Sequence, residues 1–185
     1  MTAWNECRDL ERLSREQLRQ SLFPTIAYEG RYAHISKGDM AKAFQATQGD
    51  YVFNLDDDTA VRVEHKCEYT NAYGNFFIET FSNKSRGNPG WFWKLESDYL
   101  MYHFMREGEV YIMGLAALRN WLYEPSPNGQ PNIHKYPHKG QSRYDQKNDT
   151  WGYCVSVEDI TNAIQVHFYN VPSIKIDRRE KWRAA

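Results

Sequence analysis

Asp50, Glu64 and Lys66 are the residues whose types and spacing point to chemistry. They lie in the stretch from Gly49 to Lys66, which reads as strand, turn, strand. Tyr51 to Leu55 is β-rich, Asp56 to Asp58 is a polar turn cluster, and Ala60 to Cys67 alternates apolar with polar. Alternation puts Val61, Val63, His65 and Cys67 on one face and Arg62, Glu64, Lys66 and Glu68 on the other. A hairpin folds Asp50 back beside Glu64 and Lys66. Two carboxylates suit a hard divalent cation, which takes one or two of them plus waters and a substrate phosphate. Such an ion activates water and clamps a phosphodiester. A lysine beside it orients the water or offsets charge developing on phosphate. The plainer reading of Glu64 and Lys66 is a solvated pair on an exposed strand face.

The elements around this hairpin follow from periodicity. Trp4, Cys7, Leu10, Leu13, Leu18 and Leu22 fall near helical spacing. Ser14-Arg-Glu-Gln17 reads as a capping box that splits this run into two helices, and Pro24 ends it. Residues 25–35 fit either a short strand or a loop, and Ser36-Lys-Gly-Asp39 opens a helix through Phe44. Asn75 to Phe81 is a strand holding Glu79 inside an apolar run. A carboxylate there needs water, a cation or a donor, so Glu79 either supports Lys66 and the metal site or is partly exposed. Trp91 to Lys94 begins a short helix. Tyr99 to Phe104 and Val110 to Met113 form a hairpin, and Leu115 to Leu122 is a helix burying Leu118, Trp121 and Leu122. Trp151 to Val157 is a strand, Val157 to Ile164 a helix, and Gln165 to Tyr169 a strand.

Basic side chains cluster in two segments without regular pattern. Ser82 to Gly90 is a Gly/Pro loop, and helix starts and cations suit phosphate, which makes Lys84, Arg86 and Lys94 candidate backbone contacts. Glu124 to Thr150 is a long loop rich in Pro, Gly, Asn and basic groups. There Lys135, Lys139, Arg143 and Lys147, with His134, His138, Tyr136 and Tyr144, could track and stack on a phosphate backbone. A solvated loop explains each segment equally well. His134 and His138 have a zinc-like spacing, but a proline sits between them and no cysteine pair is near, so zinc is not expected. Trp91, Trp93 and the His65 side chain are read as packing, and Asp56 to Asp58 as a solvated turn.

The acid followed by Glu-x-Lys, with Gly74-Asn75-Phe76-Phe77-Ile78-Glu79, Gly90-Trp91 and Ser97-Asp98-Tyr99-Leu100-Met101-Tyr102, resembles the PD-(D/E)XK nuclease superfamily, with Gly49-Asp50 standing for Pro-Asp. The likeness is to small phage-type, restriction-endonuclease-like or Holliday-junction-resolvase-like members, over roughly residues 36–123. It implies a mixed α/β fold with a restriction-endonuclease-like αβββαβ core at 36–123. Around that core lie an N-terminal helical extension (1–35), the long basic loop (124–150) and a C-terminal extension (151–185), all within one nuclease-like domain. It implies a Mg²⁺- or Mn²⁺-dependent DNA endonuclease, structure-specific in some relatives and often homodimeric. Asp50, Glu64 and the backbone carbonyl of His65 would hold the ion, Lys66 would position the water, and Glu79 would support the site. Lys94 matches a lysine common between the glycine and the Asp-Tyr strand. In similar proteins a helix before the acid-bearing strand often adds an acid, for which Glu29 and Asp39 are the candidates.

Composition narrows the alternatives. The 185 residues suit one domain with a real core. The net charge of −1 excludes nucleic-acid affinity by bulk charge, so any must come from local patches and metal. Three widely spaced cysteines, Cys7, Cys67 and Cys154, argue for a reducing compartment and no disulfide framework. No apolar run approaches a membrane span, and the opening Met-Thr-Ala-Trp-Asn-Glu does not read as a signal peptide, so a cytoplasmic protein without membrane contact is expected. Two rival readings remain: a nuclease-fold DNA- or protein-binding module without turnover, and an interaction protein using its aromatic surface.

Overall fold

An amphipathic helix, α1 (Ala3–Ser21), opens the chain, followed by α2 (Phe23–Ile26). Pro24 sits in the first turn of α2, where its missing N–H leaves no bond unmade. Leu18, Leu22 and Phe23 are buried against the sheet that follows. The structure is a computed structural model, described for residues 3–26, 32–34, 49–54, 59–141 and 149–175. Glu29, Asp39, the helix expected from Ser36, the Asp56 to Asp58 turn, Arg143, Tyr144 and Lys147 lie outside the described residues.

The strands are β1 (Tyr32–His34), β2 (Tyr51–Asn54), β3 (Ala60–Glu68), β4 (Asn75–Asn83), β5 (Asn88–Pro89), β6 (Tyr99–Phe104), β7 (Glu109–Gly114), β8 (His138–Gly140), β9 (Trp151–Ser156) and β10 (Val166–Asn170). Between them lie α3 (Trp91–Lys94), α4 (Leu115–Tyr123), a 3-10 turn at Asn132–Lys135, and α5 (Val157–Ala163), capped where Ser156 Oγ accepts the Asp159 amide. The fold is mixed α/β with two sheets. The larger has the order β1-β2-β3-β6-β7-β10 and the smaller β5-β4-β9-β8.

The expected hairpin is present, with Tyr51 opposite Val63 and Phe53 opposite Val61. The other edge of β3 is taken by β6, running parallel, with Glu64 opposite Leu100 and Lys66 opposite Tyr102. Asp98 pins this register. Its Oδ2 accepts from the Arg62 amide and Nε, its Oδ1 accepts from Arg62 Nη2 at 3.0 Å, and its amide donates to the Arg62 carbonyl. Such a forked carboxylate–guanidinium pair fixes geometry as well as charge.

Each face of the larger sheet has its own core. Leu100, Tyr102 and Phe104 pack with Phe76 and Ile78 of the smaller sheet and Leu115, Leu118 and Leu122 of α4. Met101 and Val63 face α1 and α2 with Tyr51 and Phe53. Glu64, Lys66 and Glu68 therefore share the face turned toward the smaller sheet, and His65 and Cys67 the face under α1.

Several expectations are corrected. Helix α1 runs unbroken through Ser14, whose hydroxyl is spent on two histidines rather than on a cap. The strand that carries Glu79, β4, lies in the smaller sheet, paired with β5 and β9. The Ser82 to Gly90 segment closes as a hairpin, with Gly87 at φ +67°. Part of the 124–150 stretch is ordered as the 3-10 turn and β8, because Ile133 is buried in the main core. Trp93 is 48 % exposed, whereas Trp91 is buried. Cys67 and Cys154 are free thiols. No described helix is long and apolar enough to cross a membrane.

Candidate active site

Gly49 sets the approach to the site. Its φ of +103° is a conformation L side chains rarely adopt, and a Cβ there would lie 2.8 Å from the Val63 carbonyl oxygen. This turn delivers Asp50 to the edge of β3, where its amide donates to Val63 O at 2.9 Å and its Oδ2 accepts the His65 amide at 3.0 Å.

Two residues of β3 carry the charges. Glu64 is 5 % exposed, and Lys66 Nζ lies 2.5 Å from Glu64 Oε1. Burial pushes the Glu64 carboxyl up to about 7; Lys66 opposes that rise, while Asp50 and Glu79 add to it. For Lys66, burial disfavours the cation, yet Glu64, Asp50 and Glu79 together outweigh burial and hold its pKa above the ordinary lysine value. The Lys66 ammonium also lies 5.7 Å from the centre of the Trp91 ring.

Glu79 reaches this edge from β4, in the other sheet. Its Oε1 accepts the Trp91 amide at 3.2 Å, and burial raises its pKa, opposed by Lys66, that amide and Lys94. Gly90 permits the approach, since a Cβ there would meet the Glu79 carbonyl oxygen at 2.4 Å. Asp50, Glu64, Lys66 and Glu79 thus share one electrostatic cluster, three carboxylates around one ammonium.

The donor set is oxygen throughout and short of positive charge, which fits a hard divalent cation. Among the described residues, no three His, Cys, Asp or Glu side chains converge closely enough to hold an ion by themselves. An ion here would take the Asp50 and Glu64 carboxylates and the His65 carbonyl, with waters completing its shell. The His65 amide points to Asp50, while its ring lies on the opposite face, 2.9 Å from Ser14 Oγ.

Among the described residues, the expected basic contacts sit on different turns, helices and strands. Lys139 is opposite Gly152, which is opposite Glu79, so these three form a row across β8, β9 and β4. Lys94 ends α3 and lowers the Glu79 pKa. Lys84 lies 3.5 Å over the Trp151 ring and near His138, in a turn tied down where Asp149 accepts from Ser85 and Trp151. Arg86 is exposed in the same turn. Lys135 donates to Asn132 Oδ1 at 2.6 Å. His134 and His138 stack on Tyr153, and His138 Nε2 is 3.0 Å from Thr80 Oγ1.

Two further pairs border the site. Tyr102 donates to Glu68 and accepts the Phe77 amide at 3.1 Å, linking β6, β3 and β4. Alternation along β3 places Glu68 on the Glu64 face, and that is the signal for it in the sequence. Ser14, bonded to His65 and His103, had no such signal, because its partners are 51 and 89 residues away.

No protein-family model, curated protein or solved structure matches this chain.

Proposed function

We propose that this chain is a divalent-metal-dependent deoxyribonuclease with a restriction-endonuclease-like core, cutting DNA phosphodiesters endonucleolytically. The observation that carries the reading is the meeting of Asp50, Glu64, Lys66 and Glu79, drawn from the β2–β3 hairpin and a second sheet, at one edge where negative charge exceeds positive. Asp50, Glu64 and the His65 carbonyl would hold Mg²⁺ or Mn²⁺, which when bound supplies Lewis acidity and an activated water.

The chain's own residues do the rest. Glu64, its carboxyl pushed up to about 7 by burial, would have to be deprotonated to hold a cation. Lys66, kept cationic by three carboxylates, orients the attacking water and offsets charge on the phosphate. Glu79 holds the Trp91 amide and so keeps the indole against Lys66. Lys94 and Lys139 flank this edge as phosphate contacts, and a homodimer would place two such sites on the two strands.

A second reading, a nuclease-fold module that binds without turnover, is favoured by the net charge of −1 and by the closed Glu64–Lys66 pair. One assay separates them. Labelled duplex, single-stranded and four-way-junction DNA are incubated with Mg²⁺ or Mn²⁺ and wild type, Glu64→Ala, Lys66→Ala or an EDTA control. Metal-dependent cutting lost in both variants supports the nuclease, and the preferred substrate names its structural preference. Salt-sensitive binding without cutting supports the module.

A further inference from the structure

The face of β3 opposite the carboxylates holds a buried polar chain that the proposed reaction does not use. Ser14 Oγ lies 2.9 Å from His65 Nε2 and 2.7 Å from His103 Nδ1, with all three residues buried. One hydroxyl has one proton and two lone pairs, so it donates to at most one ring while it accepts from the other or from both, according to the tautomers, and the Cys67 thiol on the same face also bonds to it. Among the described residues, His103 Nε2 is buried with no hydrogen-bond partner, as are both amide atoms of Gln17 one turn along α1. The hydrogen-bonded end of the chain is therefore the Ser14–His65 contact, and a buried polar network of this kind rigidifies the groups it joins.

The fixed end is His65. Its ring sits between Ser14 and Tyr51, 6.0 Å from the Tyr51 ring centre. Its own amide donates to Asp50 Oδ2 at 3.0 Å. Ser14 thus grips from one face of the sheet the residue whose backbone orients a carboxylate on the other. An apolar residue in place of Ser14 would leave two buried imidazoles without that partner, free the His65 ring to change rotamer, and so loosen the strand at the amide that Asp50 accepts. Groups that orient metal-binding residues from outside the donor set are typically worth about 10–100-fold in metal affinity.

We infer that Ser14 is a positioning residue for the divalent-cation site, acting through the His65 ring and backbone to hold Asp50 in place from the opposite face of β3. The inference rests on the nuclease reading, from which it takes the cation.

The test uses the full chain and Mn²⁺ alone as probe, with affinity read by calorimetry and melting temperature recorded in parallel. Ser14→Ala is expected to weaken Mn²⁺ binding about 10-fold, and Ser14→Thr, which keeps the hydroxyl, to restore it. A Ser14→Ala protein that melts lower but binds Mn²⁺ with wild-type affinity overturns the inference and leaves the nuclease reading standing. A wild-type protein that binds no Mn²⁺ overturns both. Should Ser14→Ala fail to fold, the wild type decides by ¹⁵N NMR of the His65 ring. The Nε2 resonance is expected to move on Mg²⁺ addition and to saturate with Mg²⁺ occupancy of the site, and an unmoved resonance overturns the inference.

Discussion

Lys66 Nζ sits 2.5 Å from Glu64 Oε1, two residues apart on one face of β3, with the carboxylate buried and the lysine side chain 32 % exposed. The pair is unequal. The carboxylate is desolvated and raised to about 7, while for the ammonium the three neighbouring acids outweigh burial. Replacing the two partners should therefore have opposite effects on stability while both lose catalysis. Glu64→Gln is expected to abolish metal-dependent cutting yet raise the metal-free melting temperature at pH 8 by a few degrees, a gain of about 1–2 kcal/mol. Lys66→Met should cost at least about 100-fold in cutting and lower the melting temperature. Cleavage assays beside thermal melts check both; a Glu64→Gln protein less stable than wild type at pH 8 would refute the account of the pair.

The same carboxyl sets a pH trend. Its folded pKa of about 7 lies above the ordinary value of 4.5, so the folded state binds the extra proton between those values. Its contribution to stability is present at acid pH and is lost as pH rises through 7. The melting temperature of wild type minus that of Glu64→Gln should fall steadily from pH 5 to pH 8 in metal-free buffer, and Mg²⁺ should flatten the fall.

His103 acts in the opposite direction. Burial lowers its pKa to about 4 from 6.5, so the unfolded chain binds the proton first as pH drops. Its contribution is present above pH 6.5 and lost as pH falls through 4, on the order of 3 kcal/mol in full. His103→Phe should remove much of the acid sensitivity between pH 6.5 and pH 4, measured by urea denaturation across that range.

Gly49 tests the approach of Asp50. At φ +103°, with the Val63 carbonyl 2.8 Å from any Cβ, Gly49→Ala forces the turn to move. A loss on the order of 2 kcal/mol is expected, with weaker Mn²⁺ binding because Asp50 follows directly. Unchanged affinity in calorimetry would mean that Asp50 does not depend on the turn.

Tyr102 tests the junction of the two sheets. Tyr102→Phe removes the donor to Glu68 and the acceptor of the Phe77 amide, leaving both without that partner. A loss of about 1–3 kcal/mol is expected, seen as a lower urea midpoint. A midpoint within error of wild type would show that water replaces the phenol.

Much of this protein follows from the sequence taken alone, because the properties concerned are local. Strand alternation has a period of two, so Glu64, Lys66 and Glu68 had to share a face, with His65 and Cys67 on the other. The β-branched and aromatic runs had to be extended, and the residues between Gly90 and Tyr99 had room only for a short helix such as α3. Tertiary structure decided what depends on partners far along the chain. Strand β6 rather than β4 pairs with β3, because the Arg62–Asp98 fork ties positions 36 residues apart. Glu79 meets Lys66 from a different sheet, a relation that no periodicity encodes. Ser14 reads locally as a helix cap, since its neighbours Arg15, Glu16 and Gln17 complete that pattern. It becomes the partner of two histidines only once α1 lies across the sheet, where burial leaves its hydroxyl no water to bond.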